Sequence, residues 1–81
     1  MTDYKGLIEF IAKRLVTSPD AVEISCTEKE EGHQVVRIRV APEDVGRVIG
    51  KRGATINAMR QVARAAATKE GLRVDVDVEE E

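Results

Sequence analysis

A chain of 81 residues, 42% hydrophobic and 35% charged, suffices for one small folded domain with a modest core, 1–81, and is too rich in apolar residues to be disordered. No apolar run reaches the roughly 18 residues of a membrane span, the start "MTDYKGLIEF" lacks a basic-then-apolar leader pattern, and the single cysteine excludes an internal disulfide; the expectation is a cytoplasmic protein without membrane contact. Formal net charge is −2, but between Glu43 and Arg64 five cations (Arg47, Lys51, Arg52, Arg60, Arg64) face two anions, a local +3 that leaves −5 elsewhere, so a phosphate-attracting patch is compatible with an acidic chain.

The elements read in order as helix, strand, strand, helix, helix, strand. Leu7, Ile8, Ile11, Ala12 and Leu15 recur at helical spacing, which predicts an amphipathic helix from Asp3 to about Val16, capped by Thr2 or Asp3. "TSPDA" stops it, because Pro19 disfavours helix at Ser18. Val22, Ile24 and Cys26 alternate with polar residues, which predicts a strand with one buried face and makes Cys26 a small core residue. "EKEEG" reads as a hairpin turn, and Val36, Ile38 and Val40 alternate with Arg37 and Arg39 in a second strand. "APED" opens a short helix, with Pro42 in the first turn and Glu43 and Asp44 at the positive end of its dipole; Gly50 ends it. A longer helix follows Gly53, with Ile56, Met59, Ala63 and Ala66 on one face and Val62 beside them, and Gly71 stops it. Leu72, Val74, Val76 and Val78 then alternate with Arg73, Asp75 and Asp77 in a final strand. This is an α+β pattern, with helices layered on one face of a three-stranded sheet.

The stretch "VIGKRGATI", Val48 to Ile56, carries the most chemistry. It is not a nucleotide P-loop: three residues, not four, separate Gly46 from Gly50, and Arg52 stands where Ser or Thr is needed. It is not a dinucleotide fingerprint either, which requires G-x-G first. A bare G-x-x-G is common by chance, but here branched apolar residues precede it and Ile56 follows it at a helix–turn–helix junction. Glycines at both ends keep that turn bare, so a sugar–phosphate chain can lie against the main chain near free helix N–H groups. Lys51 and Arg52 at the tip attract phosphate, and Arg60 and Arg64 follow one and two turns along the next helix.

"VIGKRGATI" resembles the signature of the KH domain, a module that binds RNA and single-stranded DNA and whose GxxG loop clamps about four nucleotides. The element order is similar to the type II topology, with a GxxG-containing core of about 33–79. "RVAPEDVGRVIGKRG" followed by an alanine-rich helix resembles the bacterial KhpA family. That resemblance implies a non-catalytic RNA-binding protein, an RNA chaperone paired with a second KH protein, KhpB, or with itself, and linked to cell-length and cell-wall homeostasis. It assigns Gly50, Lys51, Arg52 and Gly53 to the RNA-binding loop, Val48, Ile49 and Ile56 to the support of the groove, and the strand from Gln34 to Val40 to its opposite wall, with Arg47, Arg60 and Arg64 flanking. Ile49 and Ile56 read equally well as plain core residues.

The remaining residues add no catalytic or metal site and no cofactor. One tyrosine and one phenylalanine argue against readers that stack bases on aromatic rings, and Phe10, out of step with Leu7 and Ile11, is expected to be partly exposed and to pack against a strand or a partner. His33 reads as a solvated turn residue and the terminal glutamates as a solvated end. The alternative function is an interaction module whose RNA contact is incidental or supplied by its partner.

Overall fold

The computed structural model describes residues 2–79, so the last two glutamates of the acidic tail lie outside the described residues. Helix α1 (Tyr4–Leu15) is followed by β1 (Glu23–Glu30), β2 (His33–Arg39), the short helix α2 (Val45–Ile49), the long helix α3 (Ala54–Lys69) and β3 (Arg73–Val78). Asp3 caps α1, its carboxylate accepting from the Gly6 N–H at 3.0 Å. "PED" forms a separate 3-10 turn (Pro42–Asp44), so α2 proper is only five residues long.

The strands form one sheet in the order β1-β2-β3. β1 runs antiparallel to β2 with Ile24 opposite Ile38 and Cys26 opposite Val36, and β2 runs parallel to β3 with Val36 opposite Val76. A parallel pair cannot be closed by a tight turn; here α2 and α3 make the crossover. Alternation puts Ile24, Val36, Ile38, Val74 and Val76 on one face, where they meet Tyr4, Ile8 and Ala12 of α1 and Ile56, Met59, Ala63 and Ala67 of α3 in a single core. Ala63 and Ala67, at most 1% exposed, let α3 lie close to the sheet. A Schellman closure ends α3: Leu72 N–H donates to Ala67 O at 2.8 Å and Gly71 N–H to Thr68 O at 3.1 Å.

Three details depart from the sequence reading. β1 is buried only at Ile24 and is exposed from Ser25 onward, so Cys26 lies outside the core rather than packed inside. His33 is not a turn residue: it opens β2, half-buried, with Nε2 2.8 Å from Asp75 Oδ2. The register brings β3 beside β2, and that pairing supplies a partner that no local pattern reveals. α3 buries Ala67 where the sequence reading placed Ala66, which is only half-buried, and Val62 beside the stripe is 48% exposed.

Candidate nucleic-acid interface

Two polar ties hold the helical layer together. Asp44 is fully buried, and its carboxylate accepts from Thr17 N–H (3.0 Å), Thr17 Oγ1–H (2.8 Å) and Ser18 N–H (3.1 Å), with Arg47 Nε 3.6 Å away. The Thr17 N–H bond, above all, holds this carboxyl below its ordinary pKa. Asp44 thus joins the segment after α1 to the start of α2, where sequence reasoning gave it only a dipole role. At the other end, the buried Tyr4 hydroxyl donates to Glu70, which also accepts from Thr2 N–H at 3.0 Å. That bond raises the Tyr4 pKa and lowers that of Glu70.

The turn Gly50–Gly53 connects α2 to α3. Gly50 ends α2 at φ 77°, ψ 173°, a region open essentially to glycine alone, and a Cβ there would lie 2.8 Å from Thr55 N. Gly53, at φ 76°, ψ 13°, starts α3 with no side-chain cap, and a Cβ there would make only ordinary contact, 3.7 Å from Asn57 Nδ2. Between them Arg52 is the one non-glycine residue with positive φ among the described residues, at φ 57°, ψ 27°. A left-handed non-glycine residue costs about 1–2 kcal/mol. The chain therefore holds an arginine at the tip where glycine would be less strained. Lys51 and Arg52 are both exposed, and neither forms an ion pair among the described residues.

Beside this turn, between α3 and the sheet edge, lies a groove of about 610 Å³. Ile49, Ile56 and Arg60 line it from the helices, Asp77, Val78 and Glu79 from β3 and its end, and Arg37 from β2. The sheet side of the groove is therefore mostly β3, the edge strand on that side, and the strand Gln34–Val40 contributes Arg37 alone. Ile56 is buried and Ile49 half-buried, and both also line the groove, so the pair belongs to the rim of the core and to the depression at once. Val48 is fully buried in the core and does not line the groove.

The arginines divide. Arg60 is clamped: Nε donates to Val76 O at 2.8 Å, an Nη donates to Asn57 Oδ1 at 3.1 Å, and the other Nη lies 3.7 Å from Asp77. Arg47 turns toward Asp44 and Arg64 toward Asp75 at 3.8 Å, and neither lines the groove. The structure thus brings Ile49, Ile56 and Arg60 together at the groove beside the turn. Sequence reasoning missed Arg37, Asp77, Val78 and Glu79; the alternation of β3 was legible, but its place at the sheet edge was not.

The order α-β-β-α-α-β, the parallel β2–β3 pair and the three helices on one face of the sheet make this a type II KH fold. The family model described as KhpA/KhpB, KH domain, matches residues 5–78. Proteins named RNA-binding protein KhpA are 47% identical over 74 residues in Caldanaerobacter subterraneus (89% of this chain, 95% of the relative) and in Clostridium acetobutylicum (91% and 97%). The chain belongs to the KhpA/KhpB KH-domain family. Among solved structures, Era bound to MgGDPNP and nucleotides 1506–1542 of 16S ribosomal RNA matches with a TM-score of 0.60 at 19% identity, over 96% of this chain and 31% of that one. Aquifex aeolicus Era bound to GDP and aluminium fluoride matches with a TM-score of 0.59, also at 19% identity and with the same coverage, and both show likeness of fold.

Proposed function

We propose that this chain, acting as one KH domain, binds a short single-stranded RNA segment across the Gly50–Gly53 turn and the adjoining groove, without catalysing a reaction. The observation that carries the reading is the bare, strained turn beside a groove with an aliphatic floor. Backbone N–H groups at the start of α3, together with Lys51 and Arg52, receive phosphates. Ile49, Ile56 and Val78 receive the face of a base, and Arg37, Arg60, Asp77 and Glu79 offer donors and acceptors to its edges. The names of its relatives support RNA as the ligand. Single-stranded DNA has the same phosphates and bases and fits the same contacts less the 2′-hydroxyl.

One such site has few charges and binds weakly. A second KH protein of the KhpB type, or a second copy, adds a site and raises the effective concentration. In that setting the protein acts as a cytoplasmic RNA chaperone, and any effect on cell length or cell wall follows from the RNAs it holds. The interaction-module reading draws on a different observation: Phe10 is 56% exposed, with the Arg14 guanidinium 3.7 Å above its ring, and it lies outside the groove lining.

The test is fluorescence anisotropy of a labelled single-stranded RNA against salt. Two to four phosphate contacts give a log–log slope of about −0.7 per contact. K51D/R52D should leave the circular dichroism unchanged and abolish binding. Unchanged folding with unchanged binding would remove the turn from the site; no RNA binding by the wild type at low salt, beside a stable protein complex, would favour the interaction module.

A further inference from the structure

We propose that the α3–β3 seam carries a second phosphate site at Arg64 and Arg73, so that bound RNA extends beyond the turn and groove. The inference rests on the RNA-binding reading above. α3 lies along β3, the edge strand, and the Arg60 Nε bond to Val76 O pins the two together at mid-seam. On one side of that bond is the groove with Ile49, Ile56 and Val78; on the other is a second depression of about 360 Å³, lined by Arg64, Thr68, Arg73 and Asp75 among others.

The two depressions follow one another along the seam, with the Arg60–Val76 bond between them. From Arg60 to Arg64 is four helical residues, a rise of about 6 Å. From Asp77 back to Asp75 is two strand residues, about 6.6 Å. The steps nearly match, so each α3 arginine meets the next β3 aspartate: Arg60 with Asp77 at 3.7 Å, Arg64 with Asp75 at 3.8 Å.

Charge then distinguishes the segments. The groove is balanced, with Arg37 and Arg60 against Asp77 and Glu79. The far depression holds two guanidinium groups against Asp75 alone. Arg73 Nε is 3.4 Å from Asp75 Oδ2, and His33 Nε2 is 2.8 Å from the same oxygen. The Arg64 and Arg73 side chains are 60% and 72% exposed, so their contacts with Asp75 are weak surface pairs that leave other N–H donors open. The seam is therefore positive at the Lys51–Arg52 tip, neutral in its aliphatic middle and positive again at its far end. A polyanion with its bases in the middle and phosphates at both ends matches that sequence of charges.

The experiment compares labelled RNA oligonucleotides of about four and about eight nucleotides, the shorter matching one turn-and-groove footprint. Wild type, R64Q/R73Q, R64K/R73K and K51D/R52D are titrated at several salt concentrations, with circular dichroism melts as the folding control. For the wild type, the salt slope for the longer RNA should exceed that for the shorter by about 1.4, two phosphates at about 0.7 each. R64Q/R73Q should erase that difference and leave the shorter RNA bound within about twofold, while R64K/R73K, which keeps the charges, retains most of it. Equal slopes for both lengths in the wild type, or equal losses on both lengths in R64Q/R73Q, would overturn the second site alone. Failure of the wild type to bind either RNA would overturn the RNA-binding reading and the second site with it.

Discussion

Gly50→Ala and Gly53→Ala make a controlled pair, because the two glycines share a positive φ and differ in everything else. At Gly50, ψ of 173° places the residue in a region essentially reserved for glycine, where another residue costs of order 1–3 kcal/mol. The added methyl would also lie 2.7 Å from Thr55 Cβ and 2.8 Å from Thr55 N, so the first turn of α3 must shift; overpacking of this kind costs about 1–3 kcal/mol more. At Gly53 the conformation is ordinary left-handed helix and the nearest atom is Asn57 Nδ2 at 3.7 Å. Only the conformational cost of about 1–2 kcal/mol applies, partly offset by about 0.4–1 kcal/mol from a less flexible unfolded chain. The expected losses are therefore about 2–6 kcal/mol for Gly50→Ala and about 1 kcal/mol for Gly53→Ala. In a domain of this size each kcal/mol lowers Tm by roughly 4–8 °C. Urea denaturation followed by far-UV circular dichroism measures both. Equal losses, or a Gly50→Ala loss below about 1 kcal/mol, would refute the geometry of the turn.

Other consequences follow from the same contacts. Arg52→Gly relieves about 1–2 kcal/mol of backbone strain against about 0.5–1 kcal/mol of added chain entropy, so stability should hold or rise slightly while RNA affinity falls; a loss of stability in denaturation would contradict the strained tip. Asp44 has a lowered folded pKa, so its contribution is complete above the unfolded value of about 3.9 and is lost as pH falls through the folded value. The difference in Tm between wild type and Asp44→Asn should therefore be flat above about pH 5 and shrink at lower pH, and a difference independent of pH would remove the carboxylate from that tie. Ala63→Leu should cost about 1–3 kcal/mol by forcing α3 off the sheet, whereas exposed Cys26→Ser should stay within about 0.5 kcal/mol; denaturation that reversed this order would misplace both residues.

Features that depend on neighbours along the chain were legible before folding was considered. Helical and alternating periods placed all six elements, and Gly50, Gly53 and Gly71 marked the breaks, because main-chain conformation and one-sided burial leave local signatures. "VIGKRGATI" pointed to a bare, cationic turn for the same reason. Tertiary structure decided what depends on partners far apart. Thr17 and Ser18 meet Asp44, Tyr4 meets Glu70, and His33 meets Asp75 only once the chain is folded. The strand order put β3, not β2, on the open side of the groove and so chose Asp77, Val78 and Glu79 as its wall. The limits of helix cover left Cys26 outside the core, since alternation says which face a residue takes but not how much of that face the helices cover. The division follows from the physics: periodicity is written residue by residue, whereas sheet order and the limits of cover emerge only when the whole core closes.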